Sequence, residues 1–370
     1  MKKIIITLLL LLLFSLPAYA QDDIYQNQLE LSGAQEIKEL LPRDAADILD
    51  SLEIDITDPK MAEKITVKGI FAHIGEFIKS GGTAPAKTGL SVLAVIIITA
   101  SLSCIRREGE LSTATELVCT AAVAGALLVP LYSLIQSTAS AMKGVGVFMT
   151  GFVPVFAGIV TLSGNVSTST LSAATLLSAA QGLSWFAAFG VVPVMCAYLA
   201  VSSCCAVSPL MGATGLSESI KKLAMWILSL LVTLFSGIMS LQTTLSGAAD
   251  GVALRTGKFL IGSAFPVGGA ALSEAAGTLA GSMGVLKNTA GIYAVLGVAA
   301  CVLPLCIQLL LYRLWLFVAG TAANLFSQAR ISSVIKAADS VLSVMVSLIL
   351  FTAALFIICI IIVVKAGGGA

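Results

Sequence analysis

The chain changes texture near residue 85. From Asp22 to Lys79 polar positions dominate, with thirteen Asp or Glu against six Lys or Arg. From Thr88 onward, long apolar runs are separated by short polar stretches. Six runs stand out: Thr88–Ile105, Ala114–Thr138, Leu183–Val207, Leu223–Ser246, Gly291–Phe317 and Ser340–Val364. A helix of about 17–25 apolar residues crosses a hydrocarbon core, so each run is long enough to span one. The pattern predicts an all-α polytopic helical membrane protein. Two weaker segments, Gly144–Ser163 and Phe259–Met283, contain Pro154 and Pro266 among many Gly and Ser. They are expected to be re-entrant or to cross, because irregular backbone at membrane depth persists only where protein or water satisfies it.

Before the first run the spacing is that of short helices. Leu40, Leu41, Ile48, Leu49 and Leu52 recur at helical intervals, and Asp44 can cap the second piece after Pro42 and Arg43. Val67, Ile70, Phe71, Ile74 and Ile78 share one face of a short amphipathic helix that leads to the membrane. Residues 21–85 are therefore expected to form a polar, acidic helical ectodomain, and residues 86–370 the transmembrane domain. Ahead of them, Lys2 and Lys3 precede an apolar run, Ile4–Leu16, and the small-x-small site Ala18-Tyr19-Ala20. That is the layout of a signal peptide over residues 1–20, with cleavage after Ala20.

The transmembrane part reads as an internal duplication, with copies near 114–222 and 223–364. SLIQSTASAMKG from Ser133 parallels MSLQTTLSGAAD from Met239. FGVVPVMCAYL from Phe189 parallels ACVLPLCIQLL from Ala300, and LSESIKKLAMWIL from Leu216 parallels ISSVIKAADSVLS from Ile331. The offsets are 106, 111 and 115 residues, and Pro154 and Pro266 fit between at 112. Duplication with a Pro/Gly-interrupted segment in corresponding places points to a transport site at the repeat interface. Crossing weak segments would make the copies inverted; re-entrant ones would make them parallel.

Charge orients the chain. Arg106 and Arg107 follow the first run, which places that loop inside and the acidic segment outside. Six or eight crossings both return the C-terminus to the side of the ectodomain. Small residues at Gly277 and Gly281, and at Ala174, Ser178 and Gly182, suit close helix packing first and a homo-oligomer interface second.

The stretch from Ala248 to Gly291 combines Gly-rich backbone with Asp250, Arg255, Lys258, Pro266, Glu274 and Lys287. Ionisable groups at membrane depth are costly unless they face a cavity or a partner. These residues, with Pro154 in the first copy, are the candidate pathway-lining set; the alternative is an amphipathic surface loop. Arg255 and Lys258, three residues apart, would share a helix face.

Composition narrows the chemistry. The chain is 58% hydrophobic and 11% charged with a net charge of +1, which argues against a nucleic-acid partner. There is no HExxH, no P-loop, and a single histidine, His73, ahead of the transmembrane part. No catalytic, cofactor-binding or metal site is expected, and no cofactor; the reading is that the chain is not an enzyme. The eight cysteines all lie in or beside apolar runs and read as inert thiols.

ADGVALRTGKFLIGSAFPVGG from Ala248, followed by VLKNTAG from Val285, resembles the stage III sporulation protein AE family of endospore-forming bacteria. The layout of signal peptide, acidic ectodomain and polytopic domain agrees. The resemblance implies a membrane component of a multi-protein, secretion-like channel between mother cell and forespore. It would be a multi-pass protein of the mother-cell-derived membrane around the forespore. Its partners would be a ring-forming component, a cytosolic ATPase and a forespore membrane protein. No active-site residues carry over. The residues alone also fit a stand-alone, ion-coupled secondary transporter or a scaffold for ring assembly.

Overall fold

The structure is a computed structural model and describes residues 25–58, 61, 67–105, 110–162, 168–207, 214–246 and 269–366. All regular structure among them is helical. A helical stretch at 25–31 and a 3-10 turn, Ala34–Lys38, are followed by α1 (Arg43–Ser51), α2 (Val67–Gly81) and α3 (Thr83–Ile105). Then come α4 (Glu110–Leu162), α5 (Thr168–Val207), α6 (Thr214–Ser246), α7 (Gly269–Leu325) and α8 (Ala329–Ala366). Six segments are long and apolar enough to cross a membrane: Ile74–Leu102, Ala114–Val160, Thr175–Val207, Gly215–Ile238, Gly284–Leu325 and Ala329–Val364. They correspond one to one with the six strong runs. The first begins earlier than its run because α2 supplies its outer turns. The signal-peptide residues 1–20 lie outside the described residues.

Helix α8 is the axis of the bundle, packing against α4, α5, α6 and α7. It has no charged side chain between Asp339 and Lys365, so apolar residues meet a neighbour on several faces. Val341, Leu342, Leu348, Ile349 and Phe356 are all buried. A helix apolar all round belongs inside such a bundle. The α7–α8 hairpin is pinned at its tight turn. There Ser327 takes φ 55°, the Gln328 amide donates to the Ala323 carbonyl at 2.9 Å, and Gln328 Nε2 reaches the Ile96 carbonyl of α3 at 2.8 Å. About three turns in, Arg313 Nε pairs with Asp339 Oδ1 at 2.8 Å. At the far end Gly291 lies so close to the Val364 side chain that a Cβ there would overlap it.

Helices α4 and α7 are 53 and 57 residues long, or about 80 and 85 Å at helical rise. Both are nearly three times the thickness of a bilayer core of about 30 Å. This changes the reading of the weak segments. Gly144–Leu162 is neither re-entrant nor a separate crossing: it continues α4 without a break, through Pro154. Of the second segment, residues 269–283 form the start of α7, and 259–268 lie outside the described residues.

The low hydropathy of the first segment has a packing cause. Gly144, Gly151 and Gly158 repeat every seven residues along α4, which keeps them on nearly one face. The N-terminal segment lies in that furrow. A Cβ at Gly151 would sit 2.6 Å from the Leu40 methyls, one at Gly144 3.3 Å from Pro42 Cγ, and one at Gly158 3.6 Å from the Ser32 carbonyl. Across the gap, a Cβ at Gly297 of α7 would lie 2.9 Å from Leu41 Cδ2. The segment 25–58 therefore has no core separate from the bundle. Its buried Leu29, Ile37, Leu41 and Leu49 belong to the same apolar cluster as Phe148 and Tyr293.

Candidate functional site

The face of α4 just below this furrow is polar. Ser133, Gln136, Ser137 and Ser140 follow the i, i+3, i+4, i+7 spacing that aligns residues on one side of a helix, and all four are exposed. They line a cavity of about 620 Å³. Its other walls are Pro304 and Gln308 of α7, Pro42 and Asp44 of the N-terminal segment, and Phe77 and Gly81 of α2. Pro304 has no N–H, so the Ala300 carbonyl loses its helical donor; both residues line the cavity. A polar group placed in hydrocarbon without a partner costs several kcal/mol. Four on one face of a membrane helix, beside a second amide and a freed carbonyl, suit a hydrated cavity rather than lipid contact.

A second groove, about 630 Å³, opens on the other flank of Ser140, between α4 and α5. It is mostly apolar and contains Lys143, Trp185, Phe189 and Pro193.

The N-terminal segment that closes the first cavity is held by polar as well as apolar contacts. The Tyr25 hydroxyl donates to the Ile56 carbonyl at 2.8 Å and pairs with the Thr289 side chain of α7. Burial pushes the Tyr25 phenol up to about 12, the Thr289 contact opposes that, and the nearby Asp58 and Asp55 add to it. Lys38 Nζ meets Asp50 Oδ1 at 2.7 Å. That hydrogen bond holds the Lys38 ammonium above its ordinary range, against a small opposing effect of desolvation. Since Thr289 and Gly291 are two residues apart, the segment and the C-terminal end of α8 lie at the same end of the bundle.

Of the residues singled out from the sequence, Asp250, Arg255, Lys258 and Pro266 lie outside the described residues. Only the backbone of Glu274 is described, near the start of α7. Lys287 is on α7 and 4% exposed. Pro154 is exposed on α4. Neither Lys287 nor Pro154 lines either cavity. The stripe on α4 was not singled out as a lining, although SLIQSTASAMKG was noted as a repeat unit. Its signal is the 3–4 spacing of Ser and Gln inside an otherwise apolar helix, next to the seven-residue spacing of glycine.

The model of the family described as "Stage III sporulation protein AE (spore_III_AE)" matches residues 56–367. The chain belongs to the stage III sporulation protein AE family. The polar stripe, Pro304 and the glycine furrow of α4 fall inside the family match, whereas Leu40, Leu41 and Pro42 precede it. The chain is also similar to the Stage III sporulation protein AE of Bacillus subtilis (strain 168), 37% identical over 86 residues. That alignment covers 23% of this chain and spans 21% of the relative. No solved structure matches. The chain is thus a multi-pass membrane protein of a sporulation family, as the resemblance implied.

Proposed function

We propose that the chain is a membrane component of a multi-protein, secretion-like channel used in endospore formation, and that the polar cavity against α4 belongs to its pathway. The observation that carries this reading is the row Ser133–Gln136–Ser137–Ser140 on a membrane helix of a sporulation-family protein, walled by a partner helix whose Pro304 frees a carbonyl. The chain acts without a catalytic centre of its own. Energy and gating come from partners, namely a ring-forming component, a cytosolic ATPase and a forespore membrane protein. Its place is the mother-cell-derived membrane around the forespore, with the N-terminal segment and C-terminus outside the cytoplasm. The duplication supports the same reading. Pro193 and Pro304 lie inside α5 and α7, and Lys221 and Lys336 each follow the first residue of their helix by seven positions. With two crossing helices per period the copies are parallel.

The test is Gln136→Leu together with Ser140→Leu in a sporulating host. Spore yield should fall at least tenfold while the protein accumulates in the membrane and still copurifies with its ring component and ATPase. Normal spore yield with the double variant would refute the pathway and favour a scaffold. Solute flux through this chain alone in liposomes would favour a secondary transporter.

A further inference from the structure

We propose that the groove between α4 and α5 is a binding site for one anionic phospholipid, with the phosphate at Lys143 and an acyl chain laid along Trp185 and Phe189. The inference starts from depth. Between Glu116 and Lys143, α4 has twenty-six residues without a charge, a rise of about 39 Å. A hydrocarbon core is about 30 Å thick. Glu116 is engaged at one end of the bundle by Arg330, at 3.5 Å. Lys143 therefore emerges at the opposite interface, at the level of lipid headgroups.

The neighbouring helix presents the matching layer. Gln181 packs on Gly146, so α5 is level with α4 there. One turn on, Trp185 stacks obliquely with Phe189, ring centroids 4.5 Å apart. The two rings are 59% and 65% exposed. Exposed Trp at that height is the aromatic belt of a membrane protein. The groove then runs down α5 to Pro193, away from Lys143 and toward the middle of the bundle. Its polarity thus falls in the same order as that of a phospholipid, from charged head to apolar chain.

Charge selects the headgroup. No Asp or Glu lines the groove. Among the described residues, no carboxylate forms a salt bridge with Lys143. A zwitterionic lipid would bring its own cation beside the ammonium, whereas a phosphate diester with a neutral headgroup would not. A free anion would use Lys143 but leave the ring pair and the apolar floor without a role. The geometry therefore points to lipid.

The experiment uses the full chain reconstituted in phosphatidylcholine vesicles, with brominated acyl chains as quenchers of tryptophan fluorescence. The Trp185→Phe variant, measured in parallel, isolates the Trp185 contribution from that of Trp226 and Trp315. Brominated phosphatidylglycerol should quench Trp185 at about a fivefold lower mole fraction than brominated phosphatidylcholine, the factor one basic residue supplies at an anionic surface. Lys143→Gln should abolish the preference and Lys143→Arg should keep it. Equal quenching by the two lipids in the unaltered protein would overturn the proposal, since the groove would then hold ordinary boundary lipid. A preference that survives Lys143→Gln would overturn it too. So would loss of the preference in excess inorganic phosphate at constant ionic strength, which would make the site one for a free anion.

Discussion

Adding one methyl group at Gly297 should loosen the N-terminal segment, and removing the side chain it strikes should undo the damage. In Gly297→Ala the new Cβ would lie 2.9 Å from Leu41 Cδ2, 3.2 Å from Phe148 Cζ and 3.4 Å from Phe148 Cε1. Leu41 and Phe148 are both buried, at 7% and 0% exposure, so neither can swing into open space. Overpacking of this kind costs about 1–3 kcal/mol, offset by up to about 1 kcal/mol of helix propensity gained over glycine. The single variant should therefore lose on the order of 1 kcal/mol. Leu41→Ala alone should lose about 2–5 kcal/mol through the cavity it leaves. In that background Cδ2 is gone and Phe148 can give by a few tenths of an ångström into the space it leaves, so Gly297→Ala should be neutral or stabilising, a coupling of about 1 kcal/mol or more. Thermal unfolding in detergent gives the energies, and protease sensitivity between Tyr25 and Asp58 localises the change. Gly125→Ala, where a Cβ would meet nothing within 4 Å, is the propensity control. If the two effects add to within about 0.5 kcal/mol, the segment does not engage Gly297 as described.

Asp339→Leu should destabilise more than the double variant Asp339→Leu with Arg313→Leu, because the single change leaves the part-exposed Arg313 guanidinium on a membrane helix without its carboxylate; equal melting temperatures would refute the pairing at 2.8 Å. Tyr25→Phe should cost about 1 kcal/mol by orphaning the Ile56 carbonyl. Tyr293→Phe should be neutral or slightly stabilising, since the buried Tyr293 hydroxyl has no hydrogen-bond partner among the described residues. Tyr25 also predicts a pH dependence. Its phenol sits at about 12 when folded against an ordinary value of 10.0, so its contribution is full below pH 10 and is lost as the pH rises toward 12. Tyr25→Phe should flatten that alkaline limb, read by ultraviolet tyrosine titration alongside unfolding.

Much of the architecture was legible because apolar length is a one-dimensional property. Lipid tolerates only helices whose own backbone is satisfied, so an uninterrupted apolar run such as Ser340–Val364 states its structure directly. The same logic did not read the weak segment Gly144–Ser163, because a helix surface rich in Gly and Ser looks alike whether it meets water, lipid or another chain segment. Hydropathy reports what a residue would prefer, not what covers it.

By itself, then, the sequence determined an all-helical membrane protein with six long apolar runs, an acidic N-terminal segment and a family resemblance carried by the stretch from Ala248. Tertiary structure alone decided that α4 runs unbroken through Pro154, that Leu40, Leu41 and Pro42 fill glycine notches on two helices, and that Ser133, Gln136, Ser137 and Ser140 border a cavity. The reason is physical. The notches and the cavity exist only between elements that lie dozens to hundreds of residues apart in sequence, and no local pattern encodes the partner that closes them.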